Sequence, residues 1–221
     1  MKKVNVALLA FVGVFVVSVL IAYSILKRDK SLPVYQPGDI NPALVDEAVR
    51  NNQDHHVLPF DLINQNGELI TQEKYEGKIY VACFFFARCV TLCPELSKQF
   101  YRLQEYYGEQ EEPLLISHSV TPQADSVSVL RAYADRFKVD DQRWDLVTGE
   151  KQHIYELARK SYFAVLDEGD GGMQDFIHTE NFILVDREGR LRGFYDGTST
   201  EEVNKLILDI EILQQSYEKQ K

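Results

Sequence analysis

From Val6 to Leu26 the chain is apolar and carries no charge, with Lys2 and Lys3 on one side and Lys27, Arg28 and Lys30 on the other. A run of that length suits one helical passage through a bilayer core, and Tyr23 falls where an interfacial aromatic belongs. No convincing cleavage site precedes Lys27, so the pattern predicts an uncleaved anchor over residues 1–28. Residues 29–57 turn polar, broken by Pro33, Pro37, Gly38 and Pro42 and by Asn51-Asn52-Gln53-Asp54. They read as a tether with one short helix around Ala43 to Val49, and a folded domain is expected over 58–221.

Within that domain the periods alternate. Phe60 to Ile63 and Glu68 to Thr71 flank a polar turn and predict a hairpin, while Ile79 to Phe86 is too uniformly apolar for anything but a central strand. Leu96, Phe100, Leu103 and Tyr107 give a helix over 94–107, and Leu114 to Val120 a second buried strand. Val127, Leu130, Tyr133, Ala134 and Phe137 mark a helix opened by Asp125 or Ser126, and Ile154, Leu157 and Ala158 a third. Asn181–Val185 and Leu191–Tyr195 form a hairpin around 186–190. Thr200 to Tyr217 closes the chain as a helix, with Val203, Leu206, Ile207, Ile210 and Leu213 on one face. Two β-α-β crossings, a hairpin and a helix make an α/β domain: a central mixed sheet with helices on both faces.

Composition narrows the function. A net charge of −10 argues against nucleic acid, whose phosphates need a basic face. Three cysteines are too few for a disulfide-stapled scaffold, and a chain with 45% hydrophobic residues does not need one. No Gly-rich phosphate loop, nucleophilic serine constellation or zinc-protease histidine pair is present. With no Arg- and Ser-rich transit segment ahead of it, a signal anchor implies a bacterial cytoplasmic (inner) membrane, crossed once, with the globular part facing the periplasm or outside.

The chemistry concentrates at Cys89 and Cys93, with Pro94 behind them, where the central strand gives way to a helix. Free N–H groups and the positive end of the helix dipole favour thiolates there. Cysteines four apart on one helix face can close a disulfide or hold one soft metal ion together. Strand, cysteine pair, helix, then strands, hairpin and helix is the plan of a thioredoxin-like fold. Thiol-disulfide exchange enzymes of that fold usually place two residues between their cysteines. Here there are three: Val90, Thr91 and Leu92.

Several stretches resemble the Sco/SenC family of membrane-anchored copper proteins that serve cytochrome c oxidase assembly. They are Gly77-Lys78, Phe84-Phe85-Phe86, Cys89-x-x-x-Cys93-Pro94, Trp144-x-x-Val147-Thr148-Gly149, and His178 followed by the strand at Asn181 and by Asp186 and Gly189. The resemblance spans about Leu58 to Tyr217. It implies Cys89, Cys93 and His178 as ligands of one copper ion, Cu(I) or Cu(II), and the copper-site subunit of cytochrome c oxidase, or another extracytoplasmic copper or thiol client, as partner. Two thiolates and an imidazole do form a soft, low-coordinate site. The chain departs from the family pattern in two places. Ala87-Arg88 and Val90 surround the first cysteine, and Thr121-Pro122-Gln123-Ala124-Asp125 stands where the family has Asp-Pro-x-x-Asp, so only the second carboxylate is kept.

Arg88 either lowers the thiol pKa values or faces solvent, and Gly169, Gly171 and Gly172 either loosen the segment before His178 or simply connect. Cys83 reads as an inert core thiol, His55 and His56 as solvated linker residues, His118 as a hydrogen-bonded structural residue, and His153 as exposed. Three functions follow. The first is a copper metallochaperone, which is not an enzyme. The second is a thiol-disulfide reductase with Cys89 attacking and Cys93 resolving. The third is a redox or copper sensor built on the same pair.

Overall fold

The computed structural model describes residues 10–19, 31–45, 50–165, 172 and 175–219. Two compact units emerge, Met1–Ser31 and Leu32–Lys221. In the first, residues 10–19 are helical with exposed side chains, while the two ends of the expected anchor lie outside the described residues. Among the described residues no helix is long and apolar enough to cross a membrane.

The second unit is built on seven strands: β1 (Asp61–Asn64), β2 (Leu69–Thr71), β3 (Tyr80–Phe85), β4 (Leu114–Ser119), β5 (Trp144–Thr148), β6 (Asn181–Val185) and β7 (Leu191–Asp196). They lie in the order β2-β1-β5-β4-β3-β6-β7. The central β3, β4 and β5 run parallel, and both flanks pair antiparallel. Side chains of β3 alternate between two cores, as a strand buried on both faces requires. Val81, Cys83 and Phe85 join α1 (Leu92–Tyr107), α2 (Val127–Phe137) and α4 (Thr200–Glu218) on one face. Tyr80, Ala82 and Phe84 face the other core, which holds α3 (Lys151–Glu156) and the π-helical turn Leu157–Ser161 that continues it. Helices cover both faces, as the periodicity predicts.

The hydrophobic pattern does not mark β5, because Asp145 interrupts it. That carboxylate is fully buried and takes hydrogen bonds from Lys74 Nζ (2.6 Å), the Tyr75 hydroxyl (2.6 Å) and Asn64 Nδ2 (3.2 Å). A polar residue so satisfied costs the strand little. Gly149, just past β5, has no room for a side chain: a Cβ there would sit 2.7 Å from Leu62 Cδ2.

The compact unit begins at Leu32, not near Leu58, and the described residues 32–45 and 50–57 of the expected tether belong to it. Arg192 of β7 donates to the carbonyls of Leu32 (2.6 Å) and Pro33 (2.8 Å) and to the buried Asp186 carboxylate (2.8 Å). Tyr35 N–H donates to Leu191 O (2.9 Å), and its ring meets Phe194 edge-on, so the segment covers the outer edge of β7. Ile40, Val45 and Val57 are buried in the core. Two 3-10 turns, Pro37–Asp39 and Pro42–Leu44, replace the beginning of the short helix expected near Ala43, and residues 46–49 lie outside the described ones.

Two histidine expectations change with this docking. His55 is not a solvated linker residue: it is buried, its Nε2 lies 2.8 Å from Ser161 O and its ring 4.5 Å from that of Phe163. His153 is not exposed but partly buried, with Nε2 4.0 Å from the Asp61 carboxylate. His118 is structural, as expected. It is fully buried, stacks on Phe84 (5.0 Å), and its Nδ1 lies 3.4 Å from the Cys83 carbonyl, so that nitrogen carries the proton.

Burial pushes the His118 pKa down to about 3, and burial also lowers that of His55. Above pH 6.5 the His118 ring is neutral in both folded and unfolded chains. Between 6.5 and about 3 only the unfolded chain takes up the proton, so stability is lost by about 1.4 kcal/mol per pH unit for each such ring. Urea unfolding of the full-length chain at pH 7, 6 and 5 is therefore expected to show a steep loss that His118→Phe partly flattens. Parallel slopes in the two proteins would show that His118 does not stay neutral in the fold.

Candidate metal and redox centre

The cysteine pair sits where the sequence puts it, with one difference. Helix α1 starts at Leu92, so only Cys93 is helical, and Cys89 belongs to a tight turn that leaves β3. Cys89 N–H donates to the Phe86 carbonyl (3.2 Å), which closes that turn. The Cys89 sulfur then reaches over the helix opening and accepts the Cys93 N–H (3.4 Å), with Thr91 Oγ1 at 3.8 Å. A free first-turn N–H of the helix is thus satisfied by sulfur. Cys89 and Cys93 are both free thiols and only 6% and 3% exposed.

This arrangement makes the two thiols unequal. Burial pushes Cys89 up, but the N–H groups of Cys93 and Thr91, the Cys93 thiol and the Thr91 hydroxyl outweigh it and bring the pKa down to about 7. Burial first, and the Cys89 sulfur after it, push Cys93 up to about 12. Arg88 is exposed and is not among the groups that lower Cys89, so its side chain faces solvent. Cys83 is the inert core thiol expected: burial raises it to about 12, and its sulfur lies 3.2 Å from Ser117 Oγ. Trp144 Nε1 donates to that same hydroxyl (2.9 Å), which ties the Trp-x-x-Val-Thr-Gly segment to the floor of the site.

Asp125 holds the turn from beneath. Its carboxylate is fully buried, and Oδ2 accepts from Ala87 N–H (3.1 Å), Ser119 Oγ (2.6 Å) and Thr121 Oγ1 (2.9 Å). Thr121, which stands where the family pattern has an acid, supplies one of those donors. The retained carboxylate therefore acts on the backbone of the cysteine turn.

His178 lies on residues 175–180, a stretch outside helix and strand just ahead of β6, and it is exposed. Among the described residues no three His, Cys, Asp or Glu side chains are grouped to hold a metal ion, so the structure unites Cys89 with Cys93 and leaves His178 apart from them. Gly169 and Gly171 lie outside the described residues, whereas the Gly172 carbonyl is held by Lys151 Nζ (2.5 Å). The stretch has other anchors that periodicity did not flag. Asp175 pairs with Arg159 (2.8 Å), the Asp175 carbonyl accepts from Lys151 Nζ (2.7 Å) and the Tyr155 hydroxyl (3.0 Å), and Phe176 sits edge-on against Phe86 at 5.2 Å. Nothing in the sequence reading pointed to Phe176, whose partner Phe86 is remote along the chain.

The family model described as SCO1/SenC matches residues 48–212, three quarters of the chain. The chain belongs to the SCO1/SenC family. A SCO1/SenC family lipoprotein from Bacillus anthracis str. Ames is 28% identical, with a TM-score of 0.64 over 75% of this chain and 98% of its own. BsSco, a member of the Sco family of cytochrome c oxidase assembly proteins in which a disulfide switch was identified, is 30% identical, with a TM-score of 0.62 over 74% of this chain and 95% of its own. Bradyrhizobium japonicum ScoI, solved with copper bound, is 24% identical and shares the fold, with a TM-score of 0.55 over 68% of this chain and 97% of its own. The thioredoxin-like, mixed α/β architecture expected from the sequence is that of these SCO1/SenC structures.

The thiol asymmetry has a direct readout. Alkylation of the reduced chain by iodoacetamide is expected at Cys89 well before Cys93, with a rate that climbs through pH 7 as the Cys89 thiolate forms. Peptide mapping that found Cys93 modified first, or a rate that rose only near pH 9, would contradict the hydrogen bonding described.

Proposed function

We propose that this chain is a membrane-anchored copper chaperone. It carries one copper ion as cargo on Cys89, Cys93 and His178 and serves maturation of the copper site of cytochrome c oxidase. The observation that carries this reading is the thiol pair itself. One sulfur is already acidic and hydrogen-bonded at a helix opening, and its neighbour is a few ångströms of backbone away. The donor set fits the ion: two thiolates favour Cu(I), and an imidazole nitrogen makes Cu(II) tolerable. His178 is exposed on a stretch pinned at Asp175, so it can complete the set without disturbing the core.

Binding is coupled to protons. Near neutral pH about half of Cys89 is already thiolate, whereas Cys93 must give up its proton when metal arrives. The copper-site subunit of the oxidase is the natural recipient, and the relatives' roles in oxidase assembly and copper binding support it. The apolar run at Val6 to Leu26 supports a single-pass placement in the bacterial inner membrane with the domain outside.

A second reading, thiol-disulfide exchange with an extracytoplasmic client, is favoured by the same asymmetry. Cys89 thiolate attacks a client disulfide, and Cys93 then loses its proton and displaces the client thiolate, leaving a Cys89–Cys93 disulfide and a reduced client. The disulfide switch identified in BsSco supports this use of the pair.

An anaerobic Cu(I) titration of the reduced full-length chain discriminates between the readings. One copper per chain is expected, lost in Cys89→Ser or Cys93→Ser and weakened about tenfold or more in His178→Ala. A folded, reduced protein that bound no copper would leave exchange chemistry as the function.

A further inference from the structure

We infer that Phe176 is the positioning residue for His178, latching the histidine stretch to the turn that carries Cys89. The inference rests on the copper-carrier reading above. Burial alternates along the stretch: Phe176 is exposed, Ile177 buried, His178 exposed, Thr179 buried and Glu180 exposed. That alternation puts Phe176 and His178 together on the solvent-facing side of the stretch. The backbone beneath them is fixed. Asp175 is paired with Arg159, and the Ile177 N–H donates to the Tyr155 hydroxyl (3.4 Å), which itself donates to Val120 O (3.1 Å).

Phe176 is 51% exposed, so burial does not account for its ring position. The ring nevertheless stands edge-on against Phe86, with centroids 5.2 Å apart and planes at 76°. Phe86 is no ordinary neighbour: its carbonyl accepts the Cys89 N–H, and the next residue, Ala87, is tied to Asp125. One aromatic contact therefore joins the stretch bearing the imidazole to the turn bearing the acidic thiol. It holds the stretch that carries His178 beside the turn that carries Cys89. Because the contact is exposed and made by one ring edge, it can open and close without unpacking either core, which suits a site that must both hold and release an ion.

The test is a double-mutant cycle on the full-length chain, with Cu(I) affinity read by competition with a chromophoric chelator. Phe176→Ala is expected to weaken copper by roughly 2- to 12-fold, the range of an aromatic edge contact. The same change in a His178→Ala background is expected to cost nothing more, and Phe176→Tyr to restore affinity. In the metal-free chain, Phe176→Ala is expected to speed hydrogen exchange at residues 177–179 while the pH profile of Cys89 alkylation stays unchanged. An unaltered affinity in Phe176→Ala beside a weakened His178→Ala overturns this inference and leaves the three-ligand reading standing. So does an equal loss with and without His178. If His178→Ala itself is silent while copper still binds, the three-ligand reading falls and takes the latch with it.

Discussion

One buried carboxylate organises the cysteine end of this domain. Asp125 stands between the exit of β4 and the start of α2, and it reaches across to the backbone of the turn after β3. A fully buried carboxyl group needs donors around it, and Ser119, Thr121 and Ala87 all supply them to Oδ2, while Oδ1 has no hydrogen-bond partner among the described residues. The parallel strands deliver β3 and β4 side by side, but they do not fix the path of the chain beyond Phe85. The Asp125 bond to Ala87 fixes it, and with it the angle at which Cys89 meets the opening of α1.

From that turn the chemistry follows by the balance of hydrogen bonding against burial. A sulfur that accepts backbone N–H groups becomes acidic, and a sulfur packed beneath it in the core does not. The pair is asymmetric because hydrogen bonds outweigh burial at Cys89, whereas burial prevails at Cys93. Two equal thiols would bind an ion or close a bridge without order of events. Unequal ones assign the first contact to Cys89 and the final commitment to Cys93.

The β3–turn–α1 unit was readable from sequence because its apolar periods are strong and its cysteines stand at the change of period. The docking of residues 32–45 and 50–57 was not, since their polar and proline-rich composition describes solvation and says nothing of Arg192, which lies far along the chain. His55 was misread for the same reason: its partners Ser161 and Phe163 are distant in sequence. Strand β5 was hidden by Asp145, whose compensating donors come from two other segments. At the candidate site, local pattern located both thiols and the family resemblance pointed to His178, but neither carried information on what holds the histidine stretch in place. Tyr155, Arg159 and Phe86 do that through contacts between remote segments.

The grip of Arg192 on Leu32 and Pro33 has a mechanical meaning. Any tension carried along the chain from its N-terminal side reaches the domain at these two carbonyls, and the guanidinium passes it at once to Asp186 and to the strand that bears Arg192. The load enters β7 at the opposite end of the sheet order from β2, with β6 between it and β3. The pull is thus met first at the sheet edge, in shear along the β7–β6 ladder, and not at the turn holding the thiols.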